Sequence, residues 1–533
     1  MKTPPITLLS DKAARRGFLL RALLTLAVML APLIVTLAMT LPRGVDPFSA
    51  IPRWNDENWW FSQYAGISRF GRPLGYFGYE GTHASRGTWG PWGMYPVLLT
   101  GGFARVFGWG LHAFVYYNFL FLALSALIFV LLTKPSVRGL VCLAVSNALA
   151  YIAVCYALIC MNEVVRYSMA LVLAGIMLGI IRFPDCSRVR FILRCTLVPL
   201  ILIYATAFYA ILGAFIPVYL CLMLRRLKPV WRVLIAAAVS VVAIHYIHDM
   251  NAYTVAPYIT NASSKYNGVL PDTLAFKIQN YFYGIVGNAH KIDPFYLLTA
   301  GGDSDEYPLL LWFCLLVYAL IGVLLWRLIA NAKRAEKREV FQAELMCLFL
   351  IAAFLGGHIV MYNTGDWTFM RGCYAAVYCS IMVLAVSPKE DAQPWRTALI
   401  LSLAGAFTFA SIFVSQFSSY SRFSTEAKDA RWNEESAAME EVIRLDRNAD
   451  PWANTVVLCG TNDDIYLVLP YGVGVNGAID EVINVNAKYV VVGHEYSDEE
   501  RREARLRMLE ENGHAVVYET EDYTVLVNAA KFG

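Results

Sequence analysis

The stretch GFLLRALLTLAVMLAPLIVTLAMT, residues 17–40, decides the class to which this protein belongs. It is long enough for a membrane span, which needs about 20 apolar residues, and longer than the apolar core of a cleavable signal peptide. Lys12, Arg15 and Arg16 come directly before it. By the positive-inside rule, this basic flank places the N-terminus in the cytoplasm. We therefore predict that the first helix crosses the membrane and leads to the outer side.

The composition of the whole chain supports the same class. Of its 533 residues, 58% are hydrophobic and only 16% are charged, whereas soluble domains have just under ~50% apolar and ~25% charged residues. The net charge of +3 is too small to indicate a nucleic-acid partner, and the basic residues form short clusters between apolar runs. The chain is predicted to be a polytopic membrane protein.

Further apolar runs of span length predict about eleven transmembrane helices in total. In this assignment every cluster of basic residues falls on the cytoplasmic side. We divide the region 191–224 near Thr206 into two short spans, because a single span would place Arg225, Arg226 and Lys228 outside; one span is the alternative. Two long loops, residues 42–94 and 249–306, then lie on the outer side.

After Ser415 the sequence becomes charged and typical of a soluble domain. Its patterns predict helices at 427–447 and 497–512, a strand at 455–459, a buried strand at 488–492, and a hairpin of strands 515–519 and 523–527. It contains no glycine-rich phosphate loop, nucleophile elbow or cluster of metal ligands. The predicted fold is mainly α: a transmembrane helical bundle (1–416) followed by a small extracytoplasmic α/β domain (417–533).

The first outer loop contains WNDENWW, residues 54–60, in which two adjacent carboxylates are flanked by three indoles. Asp56 and Glu57 are candidate catalytic acids. Trp59 and Trp60 are candidates for stacking against a sugar, and residues 56–70 can form an amphipathic helix at the membrane surface. The simpler alternatives are that the acids are solvated or cap a helix, and that the indoles are membrane anchors.

The other outward-facing segments bring more polar residues to the same side. They are Glu80, His83, Arg86, Glu163, Arg166, His248, Asp249, Asp366 and Arg371. Of these, Glu163 and Arg371 lie at the ends of spans, where a charge is costly unless it has a partner or a water-filled cavity. Glu163 and Arg166 can also be a simple ion pair within one helix, and the histidines can be structural. Since the cytoplasmic connections are short and basic, we expect any catalysis to be external.

The layout of the chain resembles that of the GT-C superfamily of integral-membrane glycosyltransferases. The matching features are a basic-flanked first span, an outer loop with the early acidic pair Asp56 and Glu57, and the interfacial segment 91–107, which begins PWGMYPVLL. The other matching features are about ten further spans and a C-terminal outer domain. Many relatives carry a His-Pro-Pro-type stretch in the interfacial segment, and this chain has no histidine there.

This resemblance implies transfer of a sugar from a polyprenyl-phosphate carrier to a glycan, lipid or protein acceptor, by an inverting displacement on the outer face. Asp56 is the first choice for the general base and Glu57 the second. Arg371 and Arg166 are candidates for holding the lipid phosphate, because guanidinium groups match phosphate oxygens. The other predicted substrate-binding residues are Glu80, His83, Arg86, Glu163, His248, Asp366, Trp59 and Trp60.

Two questions stay open at the level of sequence. Carboxylates such as Asp56 and Glu57 can hold Mg2+ or Mn2+, but related enzymes differ in metal dependence, so no cofactor is assigned. The rival functions are a transporter or flippase of lipid-linked sugars and a non-catalytic assembly factor of the cell envelope. Transporters usually carry their charges at the bilayer midplane and show internal repeats, which this chain does not.

We expect a bacterial plasma-membrane protein with a cytoplasmic N-terminus.

Overall fold

The computed structural model of the chain describes most of its length. The described residues are 12–53, 55–72, 94–252, 307–332, 338–361, 366–386, 393–418, 422–445, 456–459, 465–469, 473–474, 487–494 and 499–532. The predicted outer-loop residues Glu80, His83 and Arg86 lie outside these ranges, as does most of the second outer loop.

Apolar helices form the larger part of the molecule. The first are α1 (Lys12–Thr40), α2 (Asn55–Phe70), α3 (Tyr95–Phe107), α4 (Ala113–Thr133), α5 (Val137–Ala148), α6 (Tyr151–Ala157) and α7 (Glu163–Arg182). They are followed by α8 (Arg188–Phe208), α9 (Phe215–Met223), α10 (Pro229–Ala252), α11 (Tyr307–Asn331), α12 (Arg338–Met361), α13 (Asp366–Ala385) and α14 (Gln393–Ser418). Within the described residues, seven helices are long and apolar enough to cross a membrane, and α5 with α6 is a further such pair bent by 58°. The predicted polytopic helical bundle is confirmed.

The region 191–224 forms two helices rather than one. Helix α8 ends at Phe208, and the extended backbone of Tyr209 (φ −153°, ψ 108°) separates it from a short 3-10 turn that leads into α9. Just beyond α9, Arg225 donates a 2.7 Å hydrogen bond to the carbonyl of Ile180, near the end of α7. The chain therefore reverses direction at Tyr209, close to Thr206, where the sequence predicted the division.

Helix α7 is central to the bundle, and glycines let it approach α4 closely. A Cβ added at Gly175 would lie 3.0 Å from the Phe129 ring, and one at Gly179 would lie 3.2 Å from the Leu132 carbonyl oxygen. Small residues at such crossings increase the van der Waals contact between membrane helices. This packing fixes α7, and therefore the position of its first residue, Glu163.

Helix α2 matches the predicted helical segment, but its surroundings differ from the expectation. Trp59, Trp60 and Phe61 are buried inside the protein rather than placed at a lipid boundary. Tertiary packing surrounds this helix: the Phe61 ring lies 5.3 Å from the Trp109 ring, and α3 packs along α2 with Gly101 so close to Ile67 that an added Cβ would lie 2.5 Å from the Ile67 side chain. This long-range packing is not encoded in the local pattern of residues 56–70.

The C-terminal domain is a mixed sheet with two larger helices. The strands are β1 (Val456–Cys459), β2 (Val473–Gly474), β3 (Tyr489–Gly493), β4 (Ala515–Glu519) and β5 (Tyr523–Val527), in the order β2-β1-β3-β5-β4. Strand β1 is parallel to β2 and β3, whereas β5 is antiparallel to β3 and β4. The helices are α15 (Glu426–Val442) and α16 (Glu499–Glu511), with short helical turns at Ile465–Val468 and Ala529–Phe532. The predicted α/β domain and its hairpin are confirmed.

A short connector, residues 422–425, joins this domain to the bundle by pairing with the chain after α1. Phe423 forms an antiparallel bridge with Ala50, and the N–H of Ser424 donates to the carbonyl of Ser49 at 3.0 Å. Ile51 belongs to the buried core of the C-terminal domain. We call this side of the bundle, where α1 ends and α2 and α7 begin, the domain end.

Candidate active site at the domain end of the bundle

Two arginines converge on one buried carboxylate at the start of α7. Glu163, the first residue of α7, is only 3% exposed. Arg166 Nη1 lies 3.8 Å from Glu163 Oε1, and Arg371 Nε, from the first turns of α13, lies 3.6 Å from the same oxygen. The helix dipole favours an acidic residue at this position. We call Glu163, Arg166 and Arg371 the arginine cluster.

The arginine cluster is held loosely around its carboxylate. Both nitrogen-to-oxygen distances exceed the range of a good hydrogen bond. Glu163 Oε2 is buried and has no hydrogen-bond partner in the part of the chain that the structure describes. A buried carboxylate oxygen in this condition is costly. The arrangement therefore suits a molecule that supplies an anion to the arginines and a hydroxyl donor to Glu163.

A second group of side chains supports the cluster from Tyr209, just after α8, and from α12. The Arg166 guanidinium lies over the Tyr209 ring at 3.8 Å from its centroid. The Tyr209 hydroxyl shares a 2.5 Å hydrogen bond with His358 Nε2. Gly372, next to Arg371, leaves the space for this pair, because an added Cβ would lie 2.0 Å from His358 Nε2. The Tyr167 hydroxyl also donates to the carbonyl of Arg371 at 2.9 Å.

Glu57 occupies a closed ion pair with Arg422, next to the segment that leads into α7. Arg422 Nη1 lies 3.1 Å from both of its carboxylate oxygens, and the N–H of Cys160 donates to Oε2 at 3.0 Å. Burial raises the pKa of the Glu57 carboxyl above its ordinary value, and the Arg422 guanidinium opposes that shift. The Tyr64 hydroxyl donates to Asn162 Oδ1 one residue before Glu163. Helix α2 is thus bonded twice to the segment that leads into α7.

The residues predicted from sequence divide into four groups. The structure brings Glu163, Arg166 and Arg371 together, and it places Glu57 beside the segment before α7. Asp56 lies in the first turn of α2, His248 in α10 and Asp366 at the start of α13, with only their backbone described. Trp59 and Trp60 are part of the packed interior. Glu80, His83 and Arg86 lie outside the described residues.

Sequence reasoning missed Tyr209, His358, Asn162, Gly372 and Arg422. His358 carried a signal, because an ionisable residue inside an apolar span usually has a specific partner. Arg422 carried none, since it lies in a polar region just after the last span and pairs with Glu57, 365 positions away.

Of the two candidate metal ligands, Glu57 has a described side chain and Asp56 does not. No group of three His, Cys, Asp or Glu side chains lies close enough to hold an ion within the described ranges. Glu57 and Glu163 each lie against guanidinium groups, and a positively charged neighbour disfavours a divalent cation. The donor set at the arginine cluster suits an anionic ligand.

Comparison with known proteins gives two similar structures and no close relative. No family model matches the chain, and no curated protein matches it. The apo oligosaccharyltransferase of Archaeoglobus fulgidus is 13% identical, with 95% of this chain and 74% of that chain covered and a TM-score of 0.47. ArnT from Cupriavidus metallidurans, bound to undecaprenyl phosphate, is 12% identical, with 98% and 99% covered and a TM-score of 0.43. At these values no residue role is carried over from either protein.

Proposed function

We propose that this protein is a membrane glycosyltransferase that takes a sugar from a polyprenyl-phosphate-linked donor. The arginine cluster is the observation that carries the proposal. Arg166 and Arg371 approach the same buried carboxylate from two helices at the domain end of an apolar bundle. Charges in such a bundle are costly and usually mark a functional site. Their position fits a lipid whose tail lies in the membrane and whose phosphate lies at the end of the bundle.

The chemistry of the reaction matches the residues of the cluster. The lipid phosphate leaves as an anion, and its growing charge is stabilised by groups already in place. Guanidinium groups present planar pairs of donors to phosphate oxygens. The unpartnered Oε2 of Glu163 is suited to accept a hydrogen bond from a sugar hydroxyl. Arg166 and Arg371 are therefore assigned to the donor phosphate, and Glu163 to the sugar.

Asp56 is assigned as the general base that removes the proton from the acceptor hydroxyl. Glu57 is less suited to this task, because it is fully buried and both its oxygens are bonded to Arg422. Asp56 is the preceding residue, in the first turn of α2. The bond from Cys160 to Glu57 brings that turn beside the chain that leads into the arginine cluster. A single displacement by the activated oxygen, with the lipid phosphate leaving, then inverts the configuration at the anomeric carbon.

We further propose where the reaction takes place, which acceptor it uses and which other residues contact the substrate. The reaction takes place on the outer face of a bacterial plasma membrane, with a glycan, lipid or protein as the acceptor. Contacts to substrate are proposed for Glu80, His83, Arg86, His248 and Asp366. The buried positions of Trp59 and Trp60 favour a packing role over sugar stacking.

The test is sugar transfer by the purified protein from a panel of synthetic polyprenyl-phosphate sugars. We expect the parent to use at least one donor and Asp56→Asn to lower kcat by about 10²- to 10⁴-fold while donor binding is retained. Arg225→Gln is the control, because Arg225 bonds the Ile180 carbonyl away from the domain end. If no donor turns over and all variants bind lipid-linked sugar equally well, the protein is a transporter or an assembly factor instead.

A further inference from the structure

We propose that Arg422 is a positioning residue through which the C-terminal domain sets the geometry of the candidate active site. Arg422 holds the start of α2, where Asp56 lies, against the segment that leads into the arginine cluster. The expected effect on catalysis rests on the proposed function. The expected effect on the structure rests on the contacts of Arg422 alone.

Arg422 and Glu57 together bind three distant segments of the chain. Arg422 Nη1 lies 3.1 Å from both oxygens of Glu57 and 3.4 Å from the carbonyl oxygen of Leu158. Glu57 Oε2 in turn accepts the N–H of Cys160. The side chains of Arg422 and Glu57 are 5% and 0% exposed, so water does not compete for these bonds. The connector, the start of α2 and the end of the α6–α7 link therefore meet at one ion pair.

The same ion pair lies next to the residues to which chemistry is assigned. Asp56 immediately precedes Glu57, and Glu163 follows Cys160 by three positions. Between them, Met161 Sδ lies 3.8 Å from Arg371 Nη1. A movement of Glu57 or Cys160 is therefore transmitted to the proposed base and to the proposed phosphate-binding residues. Small errors in the relative placement of such groups lower the rate strongly.

The position of Arg422 is set by the docking of the C-terminal domain. Its carbonyl oxygen accepts the N–H of Ile51 at 3.0 Å, and its neighbour Phe423 pairs with Ala50. Thr425 then caps α15 by accepting the N–H of Lys428. The connector is thus a short paired strand rather than a loose tether. The C-terminal domain and the start of α2 are therefore coupled through the connector. Its backbone pairs with the chain after α1, and the Arg422 side chain binds Glu57.

A second buried ion pair provides a control for the effect of Arg422 on general stability. Arg327 of α11 and Glu344 of α12 are 4% and 1% exposed, which is close to the burial of Arg422 and Glu57. Asn331 lies 3.3 Å from Glu344, and the pair contacts neither α2 nor the arginine cluster among the contacts described. Loss of either arginine leaves a buried carboxylate uncompensated. Only the loss of Arg422 should alter the site.

The experiment compares Arg422→Gln with Arg327→Gln in the full-length protein. Hydrogen exchange of the backbone is measured at residues 55–61 and 158–163, and kcat and KM are measured with the donor that the parent uses. We expect both variants to unfold at a lower temperature. Arg422→Gln alone should increase exchange in the two segments and lower kcat/KM by about 10²-fold, with most of the loss in kcat. Arg422→Lys, which can reach Glu57 as a point charge, should restore part of kcat.

Two outcomes overturn the inference. One is unchanged exchange at residues 55–61 in Arg422→Gln, and the other is an equal loss of kcat in Arg327→Gln. The exchange measurement needs no turnover, so it distinguishes the two proposals. If the parent transfers sugar from no donor while Arg422→Gln still increases exchange at residues 55–61, the glycosyltransferase function is rejected and the structural coupling by Arg422 is retained.

Discussion

The arginine cluster and the Arg327–Glu344 pair use the same residue types in the same bundle, yet they differ in how the carboxylate is satisfied. Glu344 is fully buried, with Arg327 Nε 2.5 Å from one oxygen and Asn331 Nδ2 3.3 Å from the other. Glu163 is 3.6 Å and 3.8 Å from its two arginines, and its Oε2 has no hydrogen-bond partner among the described residues. A closed pair of this kind connects helices, whereas an open cluster can bind a ligand.

The largest expected effect on stability lies at the closed pair. Arg327→Gln leaves the Glu344 carboxylate buried without its charge partner, so the free energy of unfolding should fall by about 3–5 kcal/mol. The transfer activity of the protein that remains folded should be close to that of the parent. Thermal unfolding in detergent, with activity normalised to folded protein, measures both quantities. A loss of activity per folded protein would show that the Arg327–Glu344 pair belongs to the active site. The difference between this pair and the arginine cluster would then not hold.

The opposite result is expected at the open cluster. Arg371→Gln removes a donor to the leaving phosphate, and transfer should fall by about 10²- to 10³-fold, the scale seen when one charge-stabilising donor is lost. The free energy of unfolding should fall by less than it does in Arg327→Gln, because Arg166 Nη1 remains 3.8 Å from Glu163 Oε1 and Arg371 is partly exposed. Steady-state kinetics and thermal unfolding of the same preparation measure the two effects. Arg371→Gln with full activity would contradict the assignment.

A smaller effect is expected at the side chains behind the cluster. In Gly372→Ala the new methyl group would overlap His358 Nε2 and displace the His358–Tyr209 pair, so stability should fall by about 1–3 kcal/mol. Gly356→Ala in α12 is the matched control, because nothing lies within 4 Å of its added Cβ. That variant should be neutral or more stable by up to about 1 kcal/mol. Equal effects of the two substitutions would show that His358 and Tyr209 are not held as described.

The smallest effect concerns the pH dependence of the Glu57–Arg422 pair. Burial raises the pKa of Glu57 and Arg422 opposes this, so Arg422→Gln raises the pKa further. A group with a raised folded-state pKa stabilises the fold at low pH, and this contribution is lost as pH rises through that pKa. The stability gap between parent and Arg422→Gln should therefore widen from about pH 5 to about pH 8, by less than about 1.4 kcal/mol in total. A gap that narrows over this range would contradict the sign.

The sequence predicts the bundle well because membrane crossing imposes a strong local requirement. Every span needs about 20 apolar residues, and basic residues between spans fix the direction, so even the reversal near Tyr209 was predictable. The hairpin of β4 and β5 was equally clear, since Glu521 and Asp522 separate two runs rich in β-branched residues. These features depend on neighbouring positions only.

Residues of the candidate site were predictable only where a charged side chain lies at the end of an apolar run, since such a charge is costly without a partner. Glu163 and Arg371 were identified because they lie at the ends of apolar runs, where an ionisable group needs a partner. The partners themselves were not visible: Arg422 meets Glu57 from 365 positions away, and His358 meets Tyr209 from 149. The burial of Trp59 and Trp60 likewise depends on tertiary packing, which the pattern of α2 does not encode.

The most direct test of the central claim is the affinity for a lipid phosphate without a sugar. Binding of polyprenyl phosphate and of the matching uncharged polyprenol is measured by titration for the parent, Arg166→Gln and Arg371→Gln, with Arg225→Gln as the control. If the arginine cluster holds the donor phosphate, each cluster variant should bind polyprenyl phosphate about 10- to 100-fold more weakly than the parent, with unchanged affinity for the polyprenol. Equal affinity for polyprenyl phosphate in all four proteins would contradict the claim.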